Sequence, residues 1–324
     1  MRKLSVMSHT GSIEIPKIIL GSTFFGTKID EKTSFELMDR YAEMGGFCID
    51  TASVYGDFDD AGVSTSEIVI GKWLKQSRHG SKFKIITKGA HHRFETPTIS
   101  RVTAQCIEED IEKSLRSLDI DVIDIYFLHR DNVNVPVSEI MPVLDRYVKA
   151  GKIRAIGASN WSPERILEAN NYAVNNGLTL FTVSEIQWSL AQINPKHNFF
   201  SDLPHMTRDR YSKYMDMKIP ILGWSSQAAG IVSKVIDNGW DGIDEQLRKS
   251  YYNEINVRKI RNVMELLSRK GITATQAALG YITCNPLSAA AIIGPSSIGH
   301  LNDSMSAADL ELSIDEINLL DQTV

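Results

Sequence analysis

The chain has 324 residues, 43% hydrophobic and 23% charged, with a formal net charge of −5; that is too long for one small sandwich or bundle, too apolar for a disordered chain, and ordinary for one α/β barrel. No block of like charge accompanies the acidic balance, so the footprint of a protein that binds nucleic acid or an anionic membrane is missing, and a small neutral or anionic molecule is the expected partner. Cys48, Cys106 and Cys284 are widely spaced inside apolar patterns and are expected to be reduced core residues. With no signal-like run in Met1–Ser12 and no apolar run approaching a membrane span, they predict a cytoplasmic protein.

Along the chain, Leu4–Val6 and Ser12–Ile15 flank a Ser-His-Thr-Gly turn and predict a hairpin that would close the bottom of a barrel. Eight strand candidates follow: Lys17–Leu20, Phe47–Asp50, Phe83–Thr87, Val122–Leu128, Ile153–Gly157, Thr182–Ile186, Ile219–Leu222 and Ala289–Ile293. Most are continuous apolar runs, as expected for strands covered on both faces. Helical patterns lie between them at Lys32–Glu43, Ser64–Gln76, Arg101–Ser117, Val137–Ala150, Pro163–Asn175 and Glu254–Cys284, the last broken near Gly271. Ser162 before Pro163 is a helix start, and Gly45, Gly151 and Gly177 stand where left-handed helix ends favour glycine.

The alternation predicts parallel strands with crossover helices, hence an α/β (β/α)8 barrel, and no linker or internal repeat divides residues 1–324 into more than one domain. Two stretches, Ala191–Tyr214 and Ile236–Tyr252, are too long for minimal connections and are expected to shape a substrate pocket.

A polar or unusual residue ends nearly every apolar run: Asp50, Lys88, His129, Ser159 with Asn160, Gln187, Trp224 and Gly294. Singly, each has a bland role, since Asp caps helices, Lys snorkels and His is often a satisfied core residue. Together they fall where barrel enzymes build their sites, at the C-terminal rim. No GxGxxG follows a strand, and GSTFFG at Gly21–Gly26 lacks that spacing, so a Rossmann domain is not expected. Nor is a metal site, because HExxH and CxxC are missing and His91–His92 reads as an exposed pair.

Seven runs resemble, in order along practically the whole chain, the signatures of the aldo-keto reductases. They are IDTASVYG at Ile49–Gly56, ITKG at Ile86–Gly89, LHRD at Leu128–Asp131, GASN at Gly157–Asn160, SEIQW at Ser184–Trp188, GWSSQAAG at Gly223–Gly230 and IGPSSIGHLND at Ile293–Asp303. The resemblance implies a (β/α)8 barrel, a nicotinamide cofactor extended along the rim, and a catalytic tetrad on Asp50, Tyr55, Lys88 and His129. It further implies that Ser159, Asn160 and Gln187 contact the nicotinamide carboxamide, with Trp224 stacked on its ring where the family often has tyrosine. Thr23 and Asp50 would stand beside the cofactor, and Ser225, Ser226, Gln227 and Gly230 would hold the pyrophosphate. Many family members carry Lys or Arg after the eighth strand; here Gly294, Ser296 and Ser297 stand there, followed by His300, Asp303 and Ser304. Without that point charge, NADPH is expected to be preferred over NADH by a modest margin, with NAD also usable.

The tetrad makes physical sense. Carbonyl reduction needs an acid to protonate the developing alkoxide, and a free tyrosine, with a pKa near 10, is a poor match to neutral pH. Lys88 is expected to lower it, Asp50 to keep Lys88 charged and oriented, and His129 to polarise the carbonyl. Phe24, Phe25 and Trp161 are expected, with Tyr55 and His129, to line the pocket of a small carbonyl or alcohol substrate. The substrate's identity and the oligomeric state stay open. Two other readings remain: a regulatory subunit of the same fold, as in the beta subunits of voltage-gated potassium channels, and an aldolase acting through a Lys88 Schiff base. The Asp50–Tyr55 spacing and the lack of a second lysine or evident carboxylate dyad argue against the aldolase.

Overall fold

Alternate side chains of eight short parallel strands point into a barrel and the others outward to a shell of helices, which is why the strands read as unbroken apolar runs. In the computed structural model, which describes residues 1–58, 63–198 and 203–321, these are β3 (Ile18–Gly21), β4 (Cys48–Asp50), β5 (Lys84–Gly89), β6 (Ile123–Leu128), β7 (Ile153–Ser159), β8 (Phe181–Gln187), β9 (Ile221–Trp224) and β10 (Ala289–Ile293). They close in the order β10-β3-β4-β5-β6-β7-β8-β9. Every predicted strand forms, with ends displaced by at most two residues. Between β7 and β8 the register shifts at Ile156/Gly157. Gly157 is required there, since a Cβ would lie 2.4 Å from the Phe127 ring and 2.6 Å from the Val183 carbonyl.

The predicted hairpin is β1 (Lys3–Ser8) paired antiparallel with β2 (Gly11–Pro16). Its Leu4, Val6, Ile13 and Ile15 pack on the inward layer formed by Cys48, Ile86, Phe127, Ala155, Val183 and Leu222. Each such burial is worth about 1.5–3 kcal/mol. The Thr182 hydroxyl donates to the Met7 carbonyl at 2.8 Å and the His9 amide to the Arg154 carbonyl at 3.2 Å, so the hairpin covers the N-terminal end of the strands.

The predicted helices form as α1 (Glu31–Glu43), α2 (Thr65–Gln76), α3 (Ala104–Leu118), α4 (Val137–Lys149) and α5 (Pro163–Asn176), with Ser162 accepting from the Arg165 amide at 3.2 Å and Gly177 left-handed at φ +64°. Also present are α6 (Arg208–Met217), α7 (Ile231–Asn238) and α8 (Glu245–Tyr251), of which α6 and α8 were not predicted. Only Tyr214 of α6 is buried, so that helix has no apolar stripe to detect. The long C-terminal pattern divides into α9 (Glu254–Lys270) and α10 (Ala274–Thr283), broken at Gly271 and restarted by the Thr273–Gln276 capping box. Two further helices, α11 (Ile298–Met305) and α12 (Ile314–Asp321), complete the described chain.

The two long stretches are fastened to each other by asparagines. Asn256 donates to the carbonyls of Gln192 at 2.8 Å and Tyr251 at 2.6 Å and accepts from the Gln192 amide at 2.8 Å. Asn194 donates to Lys249 and Tyr252 carbonyls. The first stretch returns to the rim where the Met206 amide bonds the Gln187 carbonyl at 2.8 Å, while its residues 199–202 lie outside the described residues. The cysteines need one correction. All three are free, but only Cys48 is buried; Cys106 sits in the first turn of α3 and Cys284 caps α10, so both are half-buried.

Candidate active site

Strand parity carries the inward face from the apolar layer to the rim. Two residues beyond Cys48, Ile86, Phe127, Val183 and Leu222 come Asp50, Lys88, His129, Glu185 and Trp224, and a further step on β8 reaches Gln187. Lys88, fully buried, donates to Asp50 Oδ1 and Oδ2 at 2.6 and 2.7 Å and to the Thr51 carbonyl at 3.0 Å. Tyr55 reaches back from the turn after β4, its ring centroid 5.3 Å from Lys88 Nζ and 5.8 Å from the His129 ring, which it meets at 74°. Its hydroxyl shares a hydrogen bond with Thr23. The four tetrad residues predicted from sequence are thus brought together.

Glu185 was not predicted. Its Oε1 lies 3.3 Å from Lys88 Nζ, so a carboxyl pair does flank the lysine, contrary to the sequence expectation. The available signal was parity, because Glu185 shares the inward face of its strand with Gln187. Burial opposes the Lys88 charge, but Asp50 and Glu185 outweigh it and hold the ammonium above its usual range. Burial also pushes the Tyr55 hydroxyl up to about 12, against Lys88 and with the help of Asp50 and Glu185. Lys88 acts on this phenol in the expected direction, but burial outweighs it, and Tyr55 carries its proton at pH 7. Burial, then the positive neighbourhood of His91, Lys88 and Arg130, holds His129 well below the usual histidine range and so neutral.

On the predicted cofactor side, Ser159 is fully buried and Asn160 is left-handed at φ 61°. The Asn160 amide donates to the His129 carbonyl at 3.2 Å and to Ser159 Oγ at 3.1 Å, and accepts from Trp224 Nε1 at 3.1 Å. Asn160 therefore organises three elements. Gln187 Oε1 is buried without a hydrogen-bond partner among the described residues, an acceptor of the kind an amide N–H would fill. Beyond Trp224, Ser225, Ala228, Ala229 and Gly230 all have positive φ, a run of strained backbone of the sort concentrated where a ligand approaches. The Ser226 hydroxyl is committed to the Ile292 carbonyl at 2.6 Å, and Gln227 bonds Ser304 at 3.3 Å. Lys234, missed in the sequence, brings its Cε to 3.8 Å from where a Cβ on Gly230 would lie.

After β10, a Cβ on Gly294 would meet open space. Ser297 caps α11, accepting from the His300 amide at 3.2 Å; exposed Ser296 lies 3.1 Å from His300 Nδ1, and Asp303 accepts from Thr275 at 2.6 Å. Ser304, through Gln227, ties this segment to the loop after β9, while Ser297 and Asp303 already have partners.

The substrate side requires further correction. Phe25 and Trp161 are fully buried in the outer core, the latter donating to the Arg130 carbonyl at 3.0 Å, so neither lines an open pocket. Phe24 is 40% exposed. His91 is buried rather than exposed, its ring 4.9 Å from His129, and from it a row continues through Phe94 at 5.7 Å and Phe58 at 5.9 Å to Phe24 at 6.0 Å. Phe58 and Phe94 come from loops without periodicity, which concealed them.

The model of the Aldo/keto reductase family matches residues 17–324. Among relatives, the chain is 24% identical to the uncharacterized oxidoreductase YrpG of Bacillus subtilis, covering 97% of this chain and 93% of that protein. It is 25% identical to an aryl-alcohol dehydrogenase [NADP(+)] of Phanerodontia chrysosporium, covering 98% and 83%. A solved structure of the thermostable aldo-keto reductase Tm1743, in complex with the inhibitor epalrestat, superposes with a TM-score of 0.72 at 21% identity over 99% of both chains and shows the same fold. With the family model spanning all but the N-terminal hairpin, the chain belongs to the aldo-keto reductase family.

Proposed function

We propose that this oxidoreductase reduces a carbonyl to an alcohol with NADPH, and runs the reverse reaction at higher pH, with Tyr55 exchanging the proton. The observation that carries the reading is Lys88, held charged by Asp50 beside a Tyr55 that keeps its proton at neutral pH, with His129 against the same phenol. The bound nicotinamide supplies the hydride. Gln187 Oε1 and the Ser159 hydroxyl would hold its carboxamide, Trp224 its ring, Ser225 to Gly230 with Lys234 its pyrophosphate, and the groups from Gly294 to Ser304 its adenosine end. The orphaned Gln187 acceptor and the strained backbone after Trp224 support that placement.

Neutral His129 donates to the carbonyl oxygen, drawing charge onto it, and Tyr55 gives that oxygen its proton. Lys88 then stabilises the phenolate. A Schiff-base role for Lys88 is disfavoured, because a nucleophilic amine must be neutral and this one faces two carboxyls. Free thiols support a reducing compartment, the cytosol. The substrate class we infer is a bulky aromatic carbonyl, since the row from His91 to Phe24 offers ring faces and edges leading from His129. Relatives named for aryl alcohol and for norsolorinic acid reduction agree with it. The test is cofactor oxidation over a panel of aryl and short aliphatic aldehydes and ketones, with NADPH and NADH in parallel. Aryl carbonyls should turn over fastest with NADPH, and no turnover on the panel would defeat the reading.

A further inference from the structure

Two carboxyl groups face one ammonium in the barrel lumen. Asp50 on β4 and Glu185 on β8 both lie against Lys88 on β5, and none of the three is more than 2% exposed. Burial and their nearness to each other oppose ionising both carboxyls together. Two buried carboxylates against a single ammonium would leave one negative charge unbalanced in the lumen, which favours one of them keeping its proton. Asp50 is the ionised member, because both its oxygens hold Lys88 at 2.6 and 2.7 Å. Glu185 stands farther away at 3.3 Å, and its Oε2 has no partner among the described residues. A buried anion tolerates such an oxygen poorly; the acyl oxygen of a neutral acid tolerates it far better.

The ammonium has three hydrogens. Asp50 and the Thr51 carbonyl take two sides of it, and Glu185 and Tyr55 flank what remains. We propose that Glu185 is a positioning residue that carries a proton: as a neutral acid it donates to Asp50 and leaves the remaining Lys88 charge to the Tyr55 hydroxyl, and once ionised it draws that charge to itself. The proposal rests on the reading of Tyr55 as the proton-exchanging group. The titratable groups facing Glu185 are Asp50, Lys88 and Tyr55, with neutral His129 beyond Lys88; its paired neighbours on β7 and β9, Ser159 and Leu222, carry no charge. Burial and Asp50 hold the Glu185 carboxyl well above the usual range, with Lys88 opposing.

Glu185→Gln keeps the shape and removes the ionisation, and Glu185→Leu is a second variant should the first not fold. One arm needs no turnover. At pH 7 the infrared carbonyl band of a neutral carboxylic acid should be present in the wild type and reduced in either variant. The stability of the wild type relative to the variant should also fall as pH rises above about 4.3, where the unfolded glutamate loses the proton that the folded one keeps. The other arm is alcohol oxidation, which needs ionised Tyr55. Its rising pH profile should move to lower pH by about one unit or more in Glu185→Gln, because a negative neighbour of the phenolate is gone. A neutral-acid band of undiminished intensity in both variants, or an unmoved oxidation profile, would overturn the proposal. Absence of turnover with every carbonyl and alcohol would instead defeat the reading of Tyr55, and the infrared and stability arm would still decide whether Glu185 holds a proton.

Discussion

Tyr55 meets His129 edge to face, with ring centroids 5.8 Å apart. Tyr55→Phe preserves that contact and removes only the hydroxyl. Carbonyl reduction should fall by at least about a hundredfold, while the cofactor affinity measured by fluorescence titration stays within about twofold, as expected when transition-state stabilisation is lost and ground-state binding is kept. Retention of half the wild-type turnover, with chemistry rate-limiting, would rule out this phenol as the acid.

The row of rings predicts where specificity lies. Phe94 is 42% exposed and bridges His91 and Phe58. Phe94→Ala should raise KM for aryl aldehydes by roughly three- to tenfold, the equivalent of one aromatic contact, and leave a short aliphatic aldehyde unaffected. Equal effects on both substrates would mean that the row does not hold the substrate.

Selectivity between cofactors is expected to turn on Ser296, which is exposed and 3.1 Å from His300. Ser296→Arg should tighten NADPH by about tenfold, since a charge-assisted phosphate contact exceeds a neutral one by about 1.4 kcal/mol. NADH affinity should not change. Equal gains for both cofactors in titration of the folded variant would move the 2′-phosphate elsewhere.

Glu67 accepts from Thr87 at 2.6 Å, wholly buried between α2 and β5, and burial raises its carboxyl to about 7 despite that bond. The folded protein therefore holds a proton that the unfolded chain releases above about 4.3. The stability this supplies is complete below that pH and is lost as pH rises through about 7. Glu67→Gln should consequently unfold at a higher temperature than the wild type at pH 8, by the equivalent of up to roughly 3 kcal/mol, and the advantage should vanish near pH 4. Melting curves that differ equally at both pH values would contradict it.

Much of this protein was written in its periodicity. Each strand could be located because burial on both faces demands an unbroken apolar run, and the position of Asp50, Lys88, His129, Ser159 and Gln187 at the ends of such runs marked the rim before any strand was paired. Periodicity also fixes which way a side chain faces, so the inward orientation of Glu185 was present in its two-residue step from Gln187. What a linear pattern does not contain is which inward groups meet across the lumen. Closure of the barrel brings Glu185 on β8 to Lys88 on β5 and turns a lysine–aspartate pair into a three-group proton unit; the same closure buries Tyr55 enough to raise its hydroxyl to about 12. Phe58 and Phe94 lie on loops, where no repeat constrains direction, and only the packing of those loops on His91 and Phe24 made them one surface. Local chemistry chose the elements and their faces, and desolvation and long-range contact, which exist only after folding, set the charges.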